Sequence, residues 1–353
     1  MPASPTTAPV AEGGLADLHP AYFALVMATG IVSIASKLLE LPVVPELLFA
    51  LNLAFYPILW VLTLVRALRH RALFVKDLSH HGRAVGFFTV VAATCVLGSQ
   101  CFVVGKLERA AFALWILGVI LYFGLIYSVF TILTVKEKKP PLAEGINGGW
   151  LVSVVAAQSV AVLGAQIAPS CQNAEQVLFF ALVMWLGGGM LYLWIIALIF
   201  YRYTFFTLAP SDLAPPYWIN MGAAAVSTLA GAMLVMASEG SPVLTQILPF
   251  LRGFTLMWWA TATWWIPMLV VLGLWRHLYR KFPLRYDPLY WGGVFPLGMY
   301  TAATWRLART VDAPYLLAIP RVSVFVALFA WALAFAGMVL RIAGTIRRRQ
   351  PRV

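Results

Sequence analysis

Charge is what this sequence has least of. Of its 353 residues only 11% are Asp, Glu, Lys or Arg, against 62% hydrophobic, and the mean hydropathy is +0.86. That balance excludes a soluble domain and indicates a polytopic membrane protein. The acidic residues stay out of the long apolar runs: Glu40, Glu46, Glu108, Glu175, Glu239 and Asp287 fall at their ends or between them. The five histidines, His19, His70, His80, His81 and His277, do the same. A proton relay or a cation site inside a membrane uses an ionisable side chain at that depth, and none is present. A haem bundle would need histidines facing each other, and zinc would need clustered ligands. Cysteine is nearly absent too. Cys95, Cys101 and Cys171 form no C-x-x-C pair, which leaves neither a disulfide framework nor a redox motif and makes them small packing residues. No Ser-His-Asp set, carboxylate pair or Gly-rich phosphate loop appears, so no catalytic residue, metal or cofactor is expected.

What the chain does have is apolar length. A bilayer demands about 17 to 25 apolar residues per helix, and ten stretches meet that demand: 21–38, 46–68, 84–104, 110–135, 150–168, 175–201, 217–237, 251–275, 288–308 and 314–341. The expected organisation is a tail at 1–20, a ten-helix domain at 21–341 and a basic tail at 342–353. With the N-terminus placed in the cytoplasm, the inner connections hold most of the basic residues. Arg66, Arg69, Lys136, Arg202, Arg276 and the arginines of the C-terminal tail are among them, as the positive-inside rule requires. Both termini are then cytoplasmic, in a bacterial inner membrane. The net charge of +12 is explained by anionic headgroups, with no nucleic-acid module to suggest another partner.

The odd-numbered spans carry more Ser, Thr, Asn and Gln than the longer even ones, which favours an inner layer of odd helices shielded by even ones. Thr29, Ser33, Thr94, Gln158 and Ser227 are the candidate pore-lining residues. Small polar groups also hold helices together in lipid, and that reading stays open for all five.

The ninth span is the unusual one. Its run from Tyr290 to Arg306 sets Phe295 before Pro296 among Gly292, Gly293 and Gly298. Proline lacks an N–H, so the Gly292 carbonyl loses its helical partner, and a break or kink of the helix is expected here. Irregular backbone at membrane depth is tolerated where protein or a water-filled cavity surrounds it. Arg306, eleven residues beyond Phe295, returns to nearly the same helix face. It is a candidate for drawing anions to one mouth, or a snorkelling interfacial arginine.

The first span, from Phe23 to Ala35 with Met27-Ala28-Thr29-Gly30-Ile31 at its centre, and the run from Phe295 to Tyr300 resemble the tellurite-resistance/dicarboxylate transporter family. That family includes bacterial tellurite-resistance proteins, fungal malate permeases and sulfite exporters, and plant slow anion channels. The resemblance covers essentially the whole chain and implies an all-α fold of five helical hairpins around a quasi-five-fold central pore, assembled as a homotrimer. It further implies that Phe295 is the pore gate. Gly292-Gly293 and Met27 to Ile31 look closer to the malate and sulfite branch than to the plant channels. The function expected is an anion channel or permease for small inorganic anions or dicarboxylates, such as a C4-dicarboxylate, sulfite, chloride or nitrate. The alternatives are a proton-coupled dicarboxylate or sulfite carrier and, from another class, an integral-membrane redox or enzyme subunit.

Overall fold

The computed structural model describes residues 14–284 and 286–349. Residues 1–13 of the expected N-terminal tail, Arg285 and residues 350–353 of the C-terminal tail lie outside the described residues. Among those described there is no strand. Ten long helices dominate: α1 (Ala24–Leu38), α2 (Val44–Arg69), α3 (Phe88–Val103), α4 (Glu108–Val135), α5 (Val152–Ile167), α6 (Ala174–Phe205), α7 (Ile219–Met236), α8 (Leu248–Leu274), α9 (Trp291–Thr310) and α10 (Ala318–Arg349). With no water in the bilayer to satisfy N–H and C=O groups, an apolar chain of this kind can cross only as helices. Helix α10 runs beyond the expected end at residue 341.

Nine of these helices, several with short flanking turns, are long and apolar enough to cross a membrane. Helix α9 is not among them. Its 20 residues include three glycines, a proline and two arginines, and most of them are buried by the other helices. A helix enclosed mostly by protein has no need to be uniformly apolar.

Packing divides the helices into two layers. Helix α1 packs on α3, α3 on α5, α5 on α7, α7 on α9 and α9 back on α1, so the odd helices close a ring. Each even helix packs on the odd helix before it, and also touches the next odd helix around the ring. The burial contrast follows. The most apolar stretch of α5 is 100% buried, whereas that of α2 is 17% buried and exposes Ile58 and Val61. Small residues make the inner ring possible. A Cβ on Gly298 would stand 3.0 Å from both Ile31 Cγ2 and Val32 Cγ2, so glycine lets α9 approach α1 closely.

One end of the bundle carries a repeated tie. The buried Arg66, at the end of α2, donates from Nε to the Ala16 carbonyl ahead of α1 at 3.1 Å. Lys136, just past α4, donates to the Ser79 carbonyl ahead of α3 at 2.7 Å. Arg202 of α6 donates to the Ala143 carbonyl ahead of α5 at 2.6 Å, and Arg276, just past α8, to the Leu213 carbonyl ahead of α7. Four of the five hairpins are thus fastened at the base by a cation from the even helix. The basic residues that suggest orientation in the sequence also close the fold.

Candidate functional site

The odd helices begin alike, each led in by a short 3-10 turn: Pro20–Phe23, Val85–Phe87, Gly148–Leu151, Pro215–Trp218 and Pro288–Tyr290. These starts surround a cavity of about 150 Å³, lined by residues ahead of or within the first turns of all five odd helices, among them His19, Thr89, Asn147, Ile219 and Gly292. Asp212 lines it as well, but its carboxylate lies 3.4 Å from buried Arg202 and accepts from the Ala209 N–H at 3.0 Å. His19 Nδ1 accepts from the Ala21 N–H at 3.0 Å, which places the proton of the neutral ring on Nε2. Burial, helped by the Arg83 charge, holds the pKa of His19 down to about 4.

A second cavity lies further along the same ring and again touches all five odd helices. It is about 20 Å³, room for about one water. Its lining is mainly apolar, with Ser99, Ser159, Gln166 and Arg306 as the polar members. The Ser159 hydroxyl and Gln166 Oε1 are buried and have no hydrogen-bond partner among the described residues.

Between the two cavities the ring is filled. On α9, Gly292 lines the larger cavity, and Met299, Ala302 and Arg306 line the smaller. Phe295 stands one turn from Gly292 and one from Met299 on the same stripe, 1% exposed. The matching positions on the other ring helices, one turn from each cavity lining, are Ala28, Ala92, Ala156 and Ala223, all fully buried. Four alanines and one phenylalanine make up that level. About 10 Å of helix rise separates Gly292 from Met299.

Pro296 does not interrupt the helix. Helix α9 runs unbroken from Trp291 to Thr310, so the expected break is not found. Proline is accommodated in the first two turns, and its ring packs against α7, where a Cβ on Gly222 would meet Pro296 Cγ at 2.7 Å. Gly292 and Gly293 have room for a Cβ, with nearest atoms at 3.7 and 3.8 Å, so close packing is not what requires them.

Thr29, Ser33, Thr94, Gln158 and Ser227 line neither cavity. Four of their side chains turn to the outer layer. Thr29 Oγ1 accepts from Trp331 Nε1 of α10 at 2.9 Å. Ser33 donates to the Pro45 carbonyl of α2 at 2.8 Å, and Thr94 shares a 2.8 Å hydrogen bond with Tyr56 of α2. Gln158 Nε2 donates to the Trp185 carbonyl of α6 at 2.9 Å. Ser227 donates to the Ala223 carbonyl of its own helix at 2.8 Å, while its carbonyl accepts from Trp185 Nε1. These groups join the layers, the helix-packing role that the sequence leaves open. The polar lining falls instead to Ser99, Ser159 and Gln166, which no sequence signal separates from other small polar residues on the same helices. Arg306 does reach the smaller cavity, three turns from Phe295 along the stripe. Its guanidinium carbon lies 5.0 Å from the Trp305 ring centroid, and no carboxylate is within 4.0 Å among the described residues.

The Trp258-Trp259 and Trp264-Trp265 pairs of α8 are split. Trp264 is 57% exposed, whereas Trp258 and Trp265 are buried and Trp259 donates to Thr304 of α9 at 3.0 Å. Among the described residues no three His, Cys, Asp or Glu side chains gather as a metal site.

The chain is 38% identical over 159 residues to an uncharacterised membrane protein of Mycobacterium tuberculosis, covering 45% of this chain and 80% of that one. It is 27% identical over 292 residues to an uncharacterised transporter of Methanocaldococcus jannaschii, 81% of this chain and 82% of the other. It is 24% identical over 343 residues to a sulfite efflux pump of Trichophyton rubrum, 91% of this chain and 90% of the pump. Residues 17–339 match one family throughout: the chain belongs to the voltage-dependent anion channel family, SLAC1.

Proposed function

We propose that this protein is a channel or permease of the bacterial inner membrane, carrying small anions along the axis of the odd-helix ring, and that the conformation described is its closed state. The observation that carries the reading is the level of four alanines and Phe295 between two cavities shared by all five odd helices. An apolar constriction of this kind gates by excluding water, and displacing one ring would join the cavities. The reading makes α9 the tenth membrane crossing, and it gives the ring a quasi-five-fold pore in each subunit of a trimer.

The sign of the charge carried follows from the lining. Five helix starts turn their positive ends to the larger cavity, the carboxylate there is held by Arg202, and Arg306 stands at the far mouth with no acid partner among the described residues. Such a path favours anions over cations. Its polar groups are few and neutral, so the cost of partial dehydration ranks the anions. The relationship to a sulfite efflux pump makes sulfite the first anion to try, beside chloride, nitrate and a dicarboxylate.

The experiment is flux in proteoliposomes with Phe295→Ala. The variant should pass anions at least about tenfold faster than the parent, the factor that goes with about 1.4 kcal/mol of barrier. Unchanged flux from correctly folded protein would remove Phe295 as the gate. In the same vesicles, flux that follows an imposed pH gradient at clamped voltage would show a proton-coupled carrier instead. A haem or flavin absorption band in the purified protein would favour a redox subunit over a transporter.

A further inference from the structure

Three of the basic ties at the hairpin bases invite comparison, because each has an aspartate in the loop that follows it. Buried Arg66 is met by Asp77 at 2.6 Å, and buried Arg202 by Asp212 at 3.4 Å. The aspartate corresponding to these, after Arg276, is Asp287, but it forms no ion pair with Arg276 and accepts instead from the Leu289 N–H at 2.8 Å. Among the described residues Arg276 has no carboxylate within 4.0 Å. One nitrogen reaches the Leu213 carbonyl, and the guanidinium lies over the Phe282 ring at 4.4 Å. The residue is 9% exposed, and its Nε is buried with no partner among the described residues. A buried guanidinium with an unused donor is costly unless something supplies the acceptor.

The place where Arg276 sits suggests what that is. Helices α8 and α10 each pack on α9 and leave between them a groove of about 510 Å³ with Arg276 at its end. Its walls are apolar, with Leu269 and Gly273 on α8, Gly293 and Leu297 on α9, and Ala330 and Leu333 on α10. The α8 helix widens into a single π turn at Trp275–Tyr279, which carries Arg276, and such turns recur at binding sites. Arg280 and Lys281 follow immediately.

We propose that this groove seats an anionic phospholipid, its phosphate on Arg276 and an acyl chain between α8 and α10 against the back of the gate helix. The lipid phosphate takes the place that Asp77 and Asp212 take beside Arg66 and Arg202. A hydrocarbon chain fits the apolar walls, and the neighbouring cations add attraction for an anionic headgroup at the interface. The site rests on the membrane embedding of α8 and α10 and holds whether or not Phe295 is the gate.

The test is native mass spectrometry of delipidated full-length protein offered phosphatidylglycerol and phosphatidylcholine with the same acyl chains. The wild type should retain phosphatidylglycerol several-fold better, because the choline of phosphatidylcholine cancels the phosphate charge that Arg276 attracts. Arg276→Gln should abolish that preference, while Arg280→Gln should keep it. Gly273→Phe should expel both lipids. It leaves the Arg276–Leu213 bond alone, and a Cβ at residue 273 has nothing within 4 Å, so this variant serves even if Arg276→Gln does not fold. Equal retention of the two lipids by the wild type, or retention in Gly273→Phe, would overturn the proposal. So would competition by inorganic phosphate at equal concentration, which would mean a site that ignores the chains. Assembly of several copies that Gly273→Phe dissociates with no change in lipid retention would instead assign the groove to a second copy of the chain.

Discussion

Gly222 and Pro296 touch at the depth of the proposed gate: a Cβ on residue 222 would lie 2.7 Å from Pro296 Cγ and 3.0 Å from its Cβ. The absence of a side chain on α7 is what admits a proline ring on α9. The proline therefore acts as a fitted contact between two ring helices, beside Phe295 in sequence and within an unbroken helix.

Gly222→Ala should force α7 and α9 apart and cost about 1–3 kcal/mol, the usual range for overpacking. Gly292→Ala, whose Cβ would meet nothing closer than 3.7 Å, should be tolerated. Thermal unfolding of the two variants in detergent checks the contrast. Equal melting temperatures would mean that the ring yields at residue 222 without cost.

His19 sets an acid limit on stability. With its pKa near 4 in the folded protein and about 6.5 in the unfolded chain, the unfolded state binds the extra proton between those values, so stability falls as pH drops from about 6.5 through 4. Protonation also destroys the acceptor that Nδ1 offers the Ala21 N–H. His19→Gln should show a shallower loss of melting temperature over this window. Parallel curves for the two proteins would rule out His19 as a source of acid sensitivity.

Arg306 should act on anions through its field. In a Phe295→Ala background, Arg306→Gln should lower anion flux several-fold at low ionic strength. The difference should shrink near 1 M salt, where the screening length is about 3 Å. Flux that is equal in both proteins at every salt concentration would place Arg306 off the conduction path.

Much of this architecture is legible in the residues. The spans at 110–135 and 175–201 agree closely with α4 and α6, because an apolar helix flanked by charge has few ways to sit in a bilayer. The setting and the resemblance single out Phe295, and its helix position falls between the linings of the two cavities. The polar lining is not legible. Gln158 and Ser159 are neighbours on one helix, yet the first bonds to α6 and the second borders the smaller cavity. Adjacent positions on a helix point about 100° apart, and both are small enough in polarity to serve either side.

The sequence by itself determined the class of this protein, its helical spans, the asymmetry of its charged ends and the exceptional character of the ninth span. Lipid imposes those features one helix at a time, through length, hydropathy and the cost of unpaired backbone. Only the tertiary structure decided which face of each helix looks into the ring, that Pro296 is fitted against Gly222, and that Arg276 lacks the aspartate its equivalents have. Each of these depends on how one helix is rotated against its neighbours, and that rotation is set by contacts between residues far apart in the chain.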